Sequence, residues 1–377
     1  MRVEPVAGRA DLAAFVDLPF TLYRDDPNWV PPLKAEVRKL LDARRHPFYG
    51  GGREAEIELF LARDGRRVVG RVAAILNHAH NRVHDEPIAF FGFFECERRP
   101  EVAAALLATV EDWARQRGLE AVRGPMNPST NYECGLLVEG FDRPPVLMMT
   151  YNPPWYAELL EAAGYAKVKD LYAYLSEVHD ASLERLRKLG ERAVKRNPGL
   201  TTRSADLKRF DSEVALIKGL YNAAWEKNWG FVPMSDAEFD ALARELKALV
   251  HPELVRIAFV DDEPVGFILT VPDWNPVLAD LGGSVWRHPF KLLRHLLFTK
   301  AESLPGLRLV LLGVRAGFRN RGVESLLFAH GIEVALRAGY EWCEYSWILE
   351  DNELTKRAVR LMGGELYKVY RVYEKNV

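Results

Sequence analysis

Cysteine is scarce in this chain: Cys96, Cys134 and Cys343 are the three among 377 residues, far apart and without a C-x-x-C pair. That argues against a disulfide framework and against a zinc site, so no metal is expected and a reducing cytoplasm is the expected setting. Long apolar runs are missing too. No stretch approaches the roughly 18 residues needed to span a bilayer, and residues 1–15 mix charges with short apolar stretches rather than forming a signal-peptide core. Charge of one sign is also lacking: 51 Lys and Arg stand against 53 Asp and Glu, a formal net charge of −2. Nothing in that balance favours nucleic acid as a partner, and any basic site must be local.

What is present is ordinary globular material. Hydrophobic residues make up 48% of the chain, enough for buried cores, and the length suits two domains. One α/β pattern runs through it twice. In the first half, 57–63 and 68–76 predict a hairpin around Asp64-Gly65, 88–95 a third strand, 100–117 a helix with Pro at its start, 121–124 a strand, 153–163 a helix and 171–175 a last strand. In the second half, a basic helical stretch 183–197 precedes helices at 210–227 and 236–250, the latter with Ser235 as N-cap. A hairpin over 254–260 and 265–271, a strand at 307–314, a helix at 323–338, a strand at 342–349, a helix at 354–362 and a strand at 366–373 follow. The expected division is residues 1–178 and 179–377, with no Gly/Ser linker. A single large mixed sheet is the alternative.

The stretch richest in chemistry is Val314-Arg315-Ala-Gly-Phe-Arg319-Asn320-Arg321-Gly322-Val323-Glu324. It joins a strand to a helix through a basic turn. Helix N-termini present unpaired N–H groups and a partial positive charge, and Gly322 permits close approach of a ligand. Arg315, Arg319 and Arg321 add charge suited to a diphosphate. The plain alternative is a strand–turn–helix with solvated arginines.

The turn resembles the acyl-CoA loop of the GNAT N-acyltransferase superfamily, Arg/Gln-x-x-Gly-x-Gly/Ala, through Arg319 and Gly322. It departs at Glu324, where the pattern has a small residue. The resemblance implies two tandem GNAT-like α/β domains with mixed sheets. It also implies acyl-CoA or acetyl-CoA as donor, held by Val314, Arg315, Arg319, Asn320, Arg321, Gly322, Val323 and Asn352, in a gap between the loop strand and the next one. Glu344 or Glu350 on that next strand is then a candidate general base; a structural ion pair is the other reading of each. The superfamily's usual Tyr on the following helix is absent, with Val359 in its place. The first half offers Arg98 and Arg99 but no glycine at the equivalent turn. Its unusual feature is the polar loop of Asn127, Ser129, Asn131, Glu133 and Cys134, a candidate for binding the acceptor, or a set of residues that merely shape turns. Cys134 has no nearby His and reads as a buried thiol.

Leu22-Tyr-Arg-Asp-Asp-Pro-Asn-Trp-Val-Pro-Pro32, Phe91–Cys96, Gly124–Asn131, Glu133–Leu137, Trp225–Phe231 and Ser346–Asn352 are together similar to a bacterial ceramide-synthase-like (YghO-type) group. That implies fatty acyl transfer to the amine of a long-chain amino-alcohol. Acetylation of a small polar amine or amino acid, and a non-catalytic acyl-CoA or lipid sensor, stay open beside it. Residues 286–300 are basic and amphipathic. They could rest on the inner face of a membrane or simply cover the sheet.

Overall fold

The computed structural model describes the backbone of residues 1–225, 228–284 and 289–377, and their side chains except those of 180–182, 225, 296 and 298. In chain order the elements are β1 (Arg2–Pro5), α1 (Gly8–Leu22), α2 (Lys34–Leu40), β2 (Ala55–Asp64), β3 (Arg67–Asn77), α3 (His78–His84), β4 (Ile88–Cys96), α4 (Pro100–Arg115), β5 (Ala121–Gly124), β6 (Met126–Asn127), β7 (Glu133–Cys134), β8 (Leu136–Glu139), α5 (Tyr156–Ala162), β9 (Ala166–Glu177), α6 (Asp180–Arg196), β10 (Leu200–Ser204), α7 (Phe210–Trp225), α8 (Asp236–Lys247), β11 (Val255–Val260), β12 (Glu263–Pro272), α9 (Asn275–Leu281), α10 (Pro289–Phe298), β13 (Gly306–Val314), α11 (Val323–Ala338), β14 (Trp342–Leu349), α12 (Glu353–Leu361) and β15 (Glu365–Asn376). Glu226 and Lys227, at the expected end of the 210–227 helix and within the Trp225–Phe231 motif, and 286–288, at the start of the amphipathic stretch, lie outside the described residues.

The chain forms two compact units. Unit one is Met1–Leu171 with Asn275–Leu293 and Lys368–Val377; unit two is Tyr172–Trp274 with Arg294–Tyr367. Unit one orders its strands β1-β2-β3-β4-β5, followed by β15, whose other neighbour on the same edge is β8. Neighbours are antiparallel except β4 and β5. Its core packs α4 residues Val102, Leu106, Leu107 and Val110 against Val69, Val72, Ala74 and Phe91 of the sheet, each large apolar side chain worth about 1.5–3 kcal/mol of transfer free energy. Unit two orders β10-β11-β12-β13-β14, with the Tyr172–Glu177 part of β9 beyond β14; β13 and β14 are parallel, and the β10–β11, β11–β12 and β12–β13 pairs antiparallel. Leu183, Leu186 and Ala193 of α6, Val323, Leu327 and Phe328 of α11, and Val359 of α12 share its core with Ala258, Ile268 and Leu307.

Sequence spacing assigns 171–175 and 366–373 as the last strands of successive halves. Observed, residues 172–177 fold with unit two and 368–377 with unit one. Alternation identifies a strand but carries no information about its neighbours. The hairpin between β11 and β12 turns at Asp261 and Asp262, both with positive φ, as a two-residue primed turn requires; Asp tolerates that region better than most residues.

Candidate active site

In unit two the parallel ladder of β13 and β14 pairs Gly306, Leu307, Arg308 and Leu309 with Trp342, Cys343, Glu344 and Tyr345, and stops there. β13 runs on to Val314 and β14 to Leu349, so the two strands part over their last turns. On the other edge of β13 the register with β12 slips between Leu269 and Thr270, and Val310 is the extra residue. Such a bulge re-aims the strand and leaves main-chain groups unpaired. Leu309, Val310, Leu311 and Leu312, and Trp347 and Leu349 opposite, are half-exposed although they lie inside a sheet. The result is a parting of the two strands with a main-chain bulge at its apex and half-exposed apolar residues on both strands, of which Leu309 and Leu312 pack on the core.

The basic turn follows β13 directly. Its residues do different things. Val314 is buried. The Arg315 guanidinium is bonded to the Glu263 carboxylate, and the main-chain N–H of Arg315 donates to Val265 O at 2.9 Å. Arg319 reaches inward: Nε donates to Val314 O at 3.0 Å and Nη2 to Ala224 O at 2.7 Å. Arg321 is exposed, its guanidinium lying 5.5 Å from the centre of the Phe318 ring. Asn320 and Gly322 both take positive φ, and Gly322 is the N-cap of α11. A Cβ on Gly322 would come 2.6 Å from the Ala193 Cβ, so this glycine is required by the backbone and by the close approach of α6 as well as by any ligand. Val323 is buried as the first helical residue. Glu324, next along, is half-buried. Burial raises its carboxyl above the usual 4.5, opposed by the main-chain N–H groups of Glu324 and Asn320 and by Arg319. Its carboxylate therefore sits among the amides to which a diphosphate would bind.

The two candidate bases differ sharply. Glu344 is fully buried. It accepts bonds from the Ser346 and Tyr367 hydroxyls, and Arg308 Nε lies 3.8 Å away while donating to Ser346 Oγ at 3.0 Å. Arg308 also stands over the Trp347 ring. A buried carboxylate needs such pairing, and a substrate amine would have to displace part of it. Glu350 is half-buried just past the parted end of β14, where its main-chain carbonyl accepts from Lys356 Nζ. Asn352 is the N-cap of α12, its Oδ1 accepting from Thr355 N–H at 3.2 Å. Sequence reading missed Arg308 and Tyr367. The signal was available for Arg308: a lone cation between Leu307 and Leu309 in a buried strand, in register with Glu344.

Unit one contains the same device in a closed form. Its β4–β5 ladder ends at Phe90–Arg123, and β4 carries a bulge marked by Phe93 at φ 49°. Here the gap is filled by the chain itself. A Cβ on Gly92 would lie 1.8 Å from Met126 O, and one on Gly124 2.3 Å from Phe91 O. Asn127 Oδ1 accepts the Phe93 N–H at 2.6 Å. Ser129 is buried and its Oγ accepts the Asn131 N–H at 3.2 Å; Glu133 and Cys134 pair with Asn127 and Met126 in the small β6–β7 ladder, Glu133 exposed and Cys134 buried. Arg98 lies over the Trp155 ring, and Arg99 is paired with Asp64 and Glu101. Near the same bulge, Glu95 Oε2 accepts from the Tyr23 and Tyr156 hydroxyls at 2.7 and 2.8 Å, with Arg71 at 3.8 Å from Oε1. Burial raises that carboxyl, against the pull of Arg71. All three cysteines are buried and none is in a disulfide; burial pushes Cys343 up to about 12. Among the described residues, no group of three His, Cys, Asp or Glu side chains comes together as for a metal ion, and no helix is long and apolar enough to cross a membrane.

An acyl-CoA has a diphosphate, a pantetheine arm with amide groups and a thioester. The turn amides with Arg321, the unpaired edge of β13 and the bulge at Val310 fit those parts in order, with the Glu324 carboxylate as the one misfit.

No family model matches the chain. Over its full length it is 36% identical to the bacterial ceramide synthase of Caulobacter vibrioides, covering 97% of that protein, and 34% identical to Protein YghO of Escherichia coli, covering 95%. Among solved structures it resembles a tandem GNAT protein from the clavulanic acid biosynthesis pathway (TM-score 0.57, 14% identity, 100% of this chain and 98% of that one) and a GCN5-related N-acetyltransferase from Sphaerobacter thermophilus (0.51, 15%, 99% and 95%). These likenesses agree with the tandem GNAT fold inferred from the sequence. The chain belongs to the bacterial ceramide synthase and YghO family of acyltransferases, built on the tandem GNAT fold.

Proposed function

We propose that the protein transfers a fatty acyl group from acyl-CoA to the primary amine of a long-chain amino-alcohol, in unit two. The observation that carries this is the parted end of β13 and β14, with half-exposed apolar residues on both strands, beside the amide-rich basic turn. Val310, Leu311, Trp347 and Leu349 beside the parted strands are half-exposed, apolar surface that an alkyl chain can cover and an acetyl group cannot. The family resemblance supports the same class of acceptor.

In this reading Arg321 and the amides at the start of α11 bind the diphosphate, and Arg319 and Arg315 shape the turn. The amine attacks the thioester carbonyl; a C–N bond forms, the C–S bond breaks, and the thiolate departs to be protonated from solvent or by a nearby group. Glu350 takes the proton lost by the amine, because it stands just past the parted end of β14, and Glu344 is enclosed by Ser346, Tyr367 and Arg308. Glu344 with Arg308 holds the apex. Incubation with palmitoyl-CoA and sphinganine should give an N-acyl product, detected by mass spectrometry, with acetyl-CoA a poor donor. Absence of product with long donors, alongside turnover of acetyl-CoA on a small amine, would replace this reading with a small-molecule acetyltransferase. A second reading, a non-catalytic binder of acyl-CoA, is favoured by Val359 standing where a Tyr acid would and by Glu324. Binding of palmitoyl-CoA without any product would establish it.

A further inference from the structure

The ten residues of α10 break the usual rule that a helix turns its apolar face inward. Phe290 is 85% exposed, Leu293 51% and Leu297 63%. These are three of the eight large apolar side chains exposed among the described residues, concentrated on one short helix. At about 100° per residue they fall within a stripe some 60° wide. Arg294 borders that stripe and Lys291 lies further round the same side, both exposed, and Lys300 follows the helix, also exposed. Residues 289–300 contain no Asp or Glu. Lys291 is fixed from below by Asp280, whose Oδ1 and main-chain O each accept at 3.0 Å.

We infer that α10 is an interfacial anchor that lays Phe290, Leu293 and Leu297 into the acyl–headgroup boundary of an anionic bilayer, with Arg294 and Lys300 on lipid phosphates. Two features choose a lipid surface over a protein groove. Exposed Arg294 and Lys300 flank the apolar stripe and residues 289–300 carry no acid, a positive segment that complements an anionic plane. Their long stems also let the charges reach outward to headgroups while the stripe inserts. The inference does not depend on the acyl transfer proposed above, since it concerns binding and not turnover.

Co-sedimentation of the full chain with vesicles tests it. Vesicles of phosphatidylcholine and phosphatidylglycerol in equal parts should pull the protein down, and phosphatidylcholine alone should not. The triple variant Phe290→Ser/Leu293→Ser/Leu297→Ser should lose partition by about tenfold or more, with its melting temperature unchanged because the side chains are exposed. Arg294→Gln/Lys300→Gln, which leaves the apolar stripe intact, should weaken binding and flatten its salt dependence. Turnover of a water-soluble donor and acceptor should be unaltered in all of them. Equal binding to both vesicle types, or binding that survives both sets of substitutions, overturns the inference. So does failure to bind vesicles combined with a dimer in light scattering that the triple variant abolishes, which would make a second copy the occupant of this face.

Discussion

The three arginines of the basic turn show how far residue type underdetermines role. Arg315 is taken by Glu263 and Arg319 by two main-chain carbonyls, while Arg321 projects into solvent beside Phe318. Arg321→Ala is therefore expected to raise KM for acyl-CoA about tenfold, the size of one exposed charge-assisted contact, with little change in melting temperature. Arg319→Ala should do the reverse at first order, lowering the melting temperature because the Ala224 and Val314 carbonyls lose a charged donor worth about 1.5–3 kcal/mol. Steady-state kinetics beside thermal melts separate the two. Glu324 gives a pH signature. Its carboxyl is raised by burial, so in the free protein it holds its proton to a higher pH than an ordinary glutamate. As pH rises above about 4.5 and through the raised range, a negative charge appears among the turn amides. Affinity for CoA should thus fall with rising pH across that window. Glu324→Gln should bind CoA more tightly at pH 7 and lose this part of the pH dependence, measured by titration calorimetry. Titration of the CoA phosphates is common to both proteins and cancels in the comparison.

At the scale of the element, one strand–bulge–splay device occurs twice with different contents. In unit one the chain crosses its own bulge, and the contacts are specific enough to test. Asn127→Ala strands the Phe93 N–H and should cost about 1–3 kcal/mol. Gly92→Ala puts a methyl group 1.8 Å from a main-chain oxygen, beyond what side-chain adjustment can absorb, and should abolish cooperative melting. The strands and helices of both devices were legible: 307–314, 323–338 and 342–349 read from the sequence coincide with β13, α11 and β14 to within a residue or two. The bulge was not, because Leu309-Val-Leu-Leu312 is a uniformly apolar run in which alternation cannot mark a slipped residue. Nor was α1, which has Pro19 inside it, or the two-residue strands β6 and β7, too short for any period to register. Among the site residues, Gly322 and the turn were legible as a motif. The division of labour among its arginines was not, because it depends on where Ala224 and Glu263 lie in space.

On the scale of the whole molecule, the two units keep the same strand plan while only unit two leaves its parted strands unfilled, and the proposed donor site in unit two rests on that difference. The proposal draws on Gly92, Gly124 and Asn127 on one side and on the early end of the Leu309–Tyr345 ladder on the other. Amide hydrogen exchange with and without palmitoyl-CoA reads it directly, because a thioester carrier that pairs with the edge of β13 and caps α11 must slow exchange there. Protection is expected over residues 310–325, with residues 91–99 of the closed device unchanged. Protection at 91–99 with none at 310–325 would contradict it and move the donor site to the first unit.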